Sequence, residues 1–391
     1  MLASAGADSL AKASDRMLSR RPSRPHRRFC MPVIALVSSI AHAWSTLVDL
    51  VASHAVAPLL AALHLTGLSD DPHDIAASLL VAALQLSIIG VLFRPLESLW
   101  PAERWEHRRL ARIDFHYTWL MLIGVFPLFS FLILTPVVNA LGGADPNAAA
   151  APETGLRHLW PWLDQHPLVL FALYYLAYDF TYYWMHRVQH WMPWWWAMHS
   201  MHHSQRQLSC WANDRSNYLD GMLQSFVLAA VGIAFGIEAD EFAWLMLLGE
   251  LVQNLSHANT RFGFGPVLNK ILVDPPFHRL HHMRVDPERP GLHNCNFGQV
   301  FAFWDVLFGT ALYGEPVRPT GVGDPMVDRD NELGLVALQV EGLKRFWGAV
   351  RRRSGWTPGE VAFGEDYAPI PVDHAGLPLS GGDSGVGSRD S

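Results

Sequence analysis

Cysteine is scarce: the 391-residue chain has three, Cys30, Cys210 and Cys295, set far apart. They can build neither a disulfide framework nor a cysteine-rich metal or iron–sulfur site. Charge is scarce too. Charged residues make up 17% of the chain, against about 25% in a soluble domain, and that deficit points to a membrane. The net charge of −7 gives no reason to expect a nucleic-acid partner. No G-x-G-x-x-G stands in a strand–helix context, so no dinucleotide site is expected. No H-E-x-x-H suggests a zinc hydrolase, and His166–Pro167 lacks the surroundings of a haem-binding segment. The polar start holds Arg20, Arg21, Arg24, Arg27 and Arg28 without a clear small-residue cleavage site. It reads as a cytoplasmic basic arm rather than a signal peptide. Metal chemistry must therefore rest on histidine, alone or with a carboxylate.

Apolar residues are plentiful, at half the chain, with 16 Trp and 20 Phe. A bilayer-spanning helix needs about 20 such residues. Runs of that kind cover 33–63, 75–93, 117–141 and 167–185, and two shorter ones follow at 221–237 and 242–256. The short pair reads as a full or a re-entrant hairpin. Basic residues alternate along the loops: the N-terminal arm and the loop with Arg94, Arg104, Arg108, Arg109 and Arg112 are rich in them. The loops with Asp70, Asp71 and Asp74, and with Asp145, Glu153 and Asp164, are not. The positive-inside rule then puts the N-terminus, and everything after the fourth span, on the cytoplasmic side. The expected fold is all-α, a polytopic membrane helical bundle with a cytoplasmic, histidine-rich di-metal cap. Beyond residue 315 the chain turns soluble. Leu335 to Arg353 is basic and amphipathic and suits an anionic leaflet; the Gly/Ser/Asp-rich end reads as disordered.

Nine of the 20 histidines fall between positions 186 and 282. They are His186 and His190 (H-R-V-Q-H), His199, His202 and His203 (H-S-M-H-H), His257, and His278, His281 and His282 (H-R-L-H-H). An i, i+4 pair puts two imidazoles on one helix face, and H-x-x-H-H supplies three from a tight segment. Imidazole binds zinc, copper, iron and nickel, and nine are too many for one four-coordinate ion, so two metals are expected. His257, alone in N-L-S-H-A-N, is either a ligand or a hydrogen-bonding neighbour of one. Asp179 and Asn254 are the candidate catalytic residues. Asp179 lies two helical turns before His186, where a carboxylate can orient an imidazole or bind metal itself. Arg187 and Arg279 each follow a box histidine and could anchor acidic groups or phospholipid head groups. His293 repeats no box, and His26, His64, His73 and His374 read as surface residues. Trp184, Trp191, Trp194, Trp195 and Trp196 read as an interfacial belt or, in part, as walls of a lipid tunnel.

D-F-T-Y-Y-W-M-H-R-V-Q-H (Asp179 to His190), H-S-M-H-H-S and P-P-F-H-R-L-H-H (Pro275 to His282) resemble the three boxes of the fatty acid hydroxylase/sterol desaturase superfamily. N-C-N-F-G (Asn294 to Gly298) and W-D-V-L-F-G-T (Trp304 to Thr310) are similar to the segment that closes its domain. The resemblance spans 85–315, leaving a basic arm (1–32), N-terminal hydrophobic spans (33–84) and a tail (316–391) outside it. It implies two non-haem iron ions held by the nine histidines, O₂ as co-substrate, and hydroxylation or desaturation of an aliphatic C–H position of a lipid. O₂ activation needs outside electrons. A separate ferredoxin, cytochrome or flavin reductase is the expected partner, docking at Arg104, Arg108, Arg109 and Arg112. The competing expectations are a zinc-dependent membrane hydrolase and a histidine-rich metal transporter.

Overall fold

The computed structural model describes residues 27–64, 72–106, 108–124, 155–237, 243–286, 288–289 and 291–352. In chain order the main helices are α1 (Arg27–Val51), α2 (Ala57–Ala62), α3 (Pro72–Ile88), α4 (Arg94–Leu99), α5 (Arg108–Leu122), α6 (Pro167–Trp191), α7 (Pro193–His203), α8 (Tyr218–Phe235), α9 (Ala243–Ser256), α10 (Pro275–His281) and α11 (Leu335–Arg352). Single π-helical turns, Ala52–Val56 and Ile89–Phe93, join α1 to α2 and α3 to α4. Among the described residues there is no strand, only the isolated bridges Leu272–Phe301 and Met283–Thr320. The all-α expectation holds.

Two compact units divide the chain. The first draws on Met1–Ile88, Leu120–Thr181 and Gln224–Leu251, the second on Ile89–Trp119, Tyr182–Leu223 and Val252–Ser391. In the first unit, Val48, Ala52 and Val56 pack on Ala76 and Ala77. Alanine at that seam lets two helices approach closely, which is how helices associate where lipid replaces water. Ile40, Leu47, Leu50 and Leu59 point outward instead. Three helical runs are long and apolar enough to cross a membrane: Ser39–Ala62, Pro72–Leu99 and Tyr218–Phe235. The run expected at 167–185 is a helix too, but it is not among those three. Tyr174, Tyr175, Tyr178, Asp179, Tyr182 and Tyr183 dilute its apolar character. Most of the expected span 117–141, the loop 238–242 and the chain beyond Arg352 lie outside the described residues.

The second unit is built on buried polar contacts, because its long irregular segments carry backbone groups that helices cannot satisfy. Glu97, wholly buried, accepts from the backbone N–H of Cys210 and of Asn259, each at 2.8 Å. Arg215 pairs with Asp114 at 3.4 Å and Arg345 with both oxygens of Asp330 at 2.8 and 2.7 Å. Asp305 accepts from Phe297 N at 2.8 Å, Gly298 N at 2.7 Å and Thr310 Oγ1 at 2.7 Å. A Cβ on Gly298 would stand 2.6 Å from the Phe301 carbonyl, so only glycine lets this turn close.

The amphipathic helix expected in a separate tail is α11, and it packs along α7. Arg345 Nε donates to the Ala197 carbonyl at 3.3 Å, and Gln339 accepts from Tyr218 N at 2.7 Å. Residues on both sides of 315 belong to the second unit, and residues 84 and 85 lie within α3.

Candidate metal centre

Four segments of the second unit deliver the nine histidines. The end of α6 carries His186 and His190. Met192 then turns extended, and Pro193 restarts the chain as α7, with proline at the position where its missing N–H costs nothing. His199, His202 and His203 ride on α7. His257 follows the end of α9. The α10 helix is capped by Asp274, whose carboxylate accepts from Phe277 N at 3.0 Å, and it aligns His278 and His281 with His282 just beyond.

The imidazoles separate into two groups. His186, His190, His199, His203 and His281 form one; His202, His257, His278 and His282 form the other; within each, the ligand atoms lie within 4.8 Å of one another. The helix repeat explains the partition. In α7, His199 and His203 are four apart and share a face, while His202 is turned aside. In α10, His278 and His282 are the pair four apart, and His281 crosses to the first group. Each H-x-x-H-H therefore straddles both positions, which fixes them side by side. His257 falls within the second group. No carboxylate belongs to either group among the described residues.

The ring nitrogens are oriented from behind. His186 Nδ1–H donates to the Phe297 carbonyl at 2.9 Å and His281 Nδ1–H to that of Cys295 at 2.8 Å. His202 and His257 do the same to Arg215 at 3.3 Å and Gln253 at 2.8 Å. His199 Nδ1 instead meets the Asp220 carboxylate at 3.0 Å. Holding the proton on Nδ1 leaves the Nε2 lone pair free to bind metal.

Those Nε2 atoms crowd together: His186 to His281 at 3.0 Å, His202 to His257 at 3.2 Å, His257 to His278 at 3.1 Å and His278 to His282 at 3.2 Å. Nε2 of His190, His199 and His203 is buried with no hydrogen-bond partner. Imidazole nitrogens bound to one ion at about 2.1 Å sit roughly 3.0–3.4 Å apart, so this donor set fits a metal in each group. Burial keeps eight of the rings neutral and ligand-competent. It pulls His281 down to about 3 and His257 down to about 4. His186, His190, His202, His203, His278 and His282 are also held well below the usual histidine value, by burial first and neighbouring imidazoles second.

The other expected residues are placed as follows. Asp179 is buried in the part of α6 that belongs to the first unit. Asn254 is wholly buried, its Nδ2 3.5 Å from the Cys210 carbonyl. Arg187 lies over the rings of Trp184, Tyr183 and Phe297. Arg279 does anchor an acidic group, the buried Glu103, at 2.6 Å, with angles that make it an ion pair rather than a hydrogen bond. His293 joins neither group. His64 is exposed, and His73 makes a surface pair with Asp49 at 3.4 Å. His26 and His374 lie outside the described residues. Sequence reasoning missed Asp220 and the orienting carbonyls. Asp220 had no visible signal, because an irregular loop separates it from His199.

Residues 171–310 match the family described as fatty acid hydroxylase. Over that stretch the chain is similar to the fatty acid hydroxylase/sterol desaturase superfamily. It is 28% identical over 208 residues to an alkylglycerol monooxygenase of Danio rerio, covering 51% of this chain and 45% of that protein. A Delta(7)-sterol 5(6)-desaturase of Aspergillus fumigatus is 25% identical over 242 residues, 56% of this chain and 67% of its own. A fatty acid hydroxylase of a Lecanicillium species is 26% identical over 207 residues, 48% and 52% of the two chains. The chain spans less than half the length of the alkylglycerol monooxygenases it matches, from 33% to 48%. No solved structure matches. The matched stretch contains all nine histidines of the two groups.

Proposed function

We propose that this protein is a membrane-bound non-haem di-iron oxygenase that hydroxylates or desaturates an aliphatic C–H position of a lipid, using O₂ and electrons from a separate donor. The partition of the nine histidines into two adjacent groups, straddled by both H-x-x-H-H triplets, carries this reading. Two irons held there would supply the electron-accepting, O₂-activating chemistry that an unreactive C–H bond requires.

The protein's own residues do the rest. The five- and four-imidazole groups bind the ions, and the carbonyls of Phe297, Cys295, Arg215 and Gln253 keep each ring's proton on the outer nitrogen. Eight of the nine histidines are buried and His190 is half-buried, an enclosure that holds water away from the reacting position. Asp179 and Asn254 keep their proposed roles as catalytic residues. The apolar helical runs Ser39–Ala62, Pro72–Leu99 and Tyr218–Phe235 suit a lipid environment. Alkylglycerol, sterol and fatty acyl lipids, the classes named by its relatives, are the substrates to try.

Orientation follows the arginine-rich loop. Arg104, Arg109 and Arg112 are exposed and offer a donor protein a basic surface on the cytoplasmic side. The test is purified protein with iron, O₂, reduced ferredoxin and each lipid class in turn. An oxidised lipid that disappears in His202→Ala supports the proposal, and hydrolysis or ion flux in its place refutes it.

A further inference from the structure

We propose that Trp194, Trp195 and Asp220 form the path by which electrons reach the five-histidine position, entering through His199. The inference rests on the di-iron reading above. With its ligands enclosed, the centre cannot be touched by an external carrier, so electrons must cross protein. Of the orienting contacts behind the rings, those of His186, His281, His202 and His257 end on backbone carbonyls. That of His199 continues outward. Its Nδ1 meets Asp220 Oδ2 at 3.0 Å, and Asp220 Oδ1 accepts from Trp195 Nε1 at 2.7 Å. The Trp195 ring stacks on Trp194, with centroids 5.3 Å apart and planes 11° from parallel. Trp194 is half-buried and meets Phe346 edge-on at 6.2 Å; Phe346 in turn adjoins Trp347 at 5.2 Å, which is 54% exposed. A continuous run of hydrogen bonds and ring contacts, one stacked and two edge-on, thus joins His199 to the surface.

The charge on Asp220 points the same way. Its carboxylate is wholly buried, and its partners are Gln189 Nε2 at 2.8 Å, Trp195, His199 and a weak contact from Ser216 at 3.5 Å. No lysine or arginine pairs with it among the described residues. A buried anion needs a counter-charge, and the ion bound through His199 is the one available. A carboxylate placed there makes the imidazole a stronger donor to the metal and couples it to the indole. In each transfer one electron leaves a reduced iron–sulfur, haem or flavin carrier and one ferric ion becomes ferrous. No bond breaks, and Trp195 Nε1–H and His199 Nδ1–H keep their protons.

The experiment uses iron-loaded, full-length protein in nanodiscs, mixed in a stopped-flow with dithionite-reduced ferredoxin. Iron content and the resting Mössbauer spectrum are recorded for every variant. Trp195→Phe keeps a stackable ring but loses the hydrogen bond, and it should slow reduction by ferredoxin at least about tenfold, a barrier increase of about 1.4 kcal/mol. Its iron content and its slow reduction by excess dithionite should stay unchanged. Trp194→Leu, which touches neither Asp220 nor a ligand, should slow the ferredoxin step as well, and it serves as the test if Trp195→Phe loses iron. Wild-type reduction rates in iron-replete Trp195→Phe or Trp194→Leu would overturn the path and leave Asp220 as a support for His199. Absence of iron from the wild-type protein would refute the di-iron reading itself.

Discussion

His203 and His282 stack ring on ring, centroids 4.3 Å apart and planes 20° from parallel, although they belong to different ligand groups. One rides on the second box and the other on the third, so this contact is where the two metal positions adjoin. The two triplets are therefore a single device. Each supplies both positions, and neither position can be altered without the other box.

The unequal group sizes predict unequal mutants. His202→Ala leaves three imidazoles in the smaller group, and metal per chain should fall to about half. His281→Ala leaves four in the larger group, enough for a tetrahedral ion, and should retain more metal. Both should lose lipid oxidation while staying folded in the membrane. Elemental analysis of the purified variants checks the order, and equal losses would show that the groups are not independent.

The turn closed by Asp305 predicts a remote effect on the ligands. Gly298→Ala forces a methyl group against the Phe301 carbonyl and within 3.0 Å of Asp305 Oδ2. Overpacking of this kind costs about 1–3 kcal/mol. Because Phe297 orients His186 and the neighbouring Cys295 orients His281, metal affinity should fall together with thermal stability. A variant with wild-type iron binding would separate the turn from the site.

The boxes were legible in sequence because a four-residue repeat survives any change in the surrounding loops. The all-α fold was legible for the same reason: long apolar runs without strand-like alternation admit little else. Three things were not. Assigning histidines to positions depends on how two helices face each other. Asp220 reaches His199 across a loop that has no periodicity. Arg345 looked like a surface charge on a basic helix, yet it is buried against Asp330 and α7, a pairing that only the folded chain reveals.

That pairing predicts that α11 is needed for the centre. Arg345→Met leaves Asp330 buried without its cation, and breaking such a pair costs about 3–5 kcal/mol. Unfolding of the second unit, followed by proteolysis in detergent, should begin at a lower temperature, and iron should be lost with it. An unchanged transition would make α11 an accessory element.

Burial of the imidazoles sets an acid limit for the metal-free protein. Above about pH 6.5, the ordinary histidine value, the rings of His257 and His281 are neutral in both folded and unfolded chains and contribute no pH dependence. Below it the unfolded chain takes up protons that His257 refuses until about 4 and His281 until about 3. Stability should therefore decline as pH falls from 6.5 towards 4, and metal should be released over the same range. Thermal unfolding of chelator-treated protein at pH 7, 5.5 and 4.5 measures it; a flat profile would mean the rings are not enclosed.

The central claim is two irons in two unlike histidine positions, and Mössbauer spectroscopy of protein grown on iron-57 and purified in mild detergent tests it most directly. The account predicts about two irons per chain, magnetically coupled, with two distinct quadrupole doublets from the five- and four-imidazole groups. One metal per chain, or zinc in a folded protein with all nine histidines intact and losses during purification excluded, would contradict it.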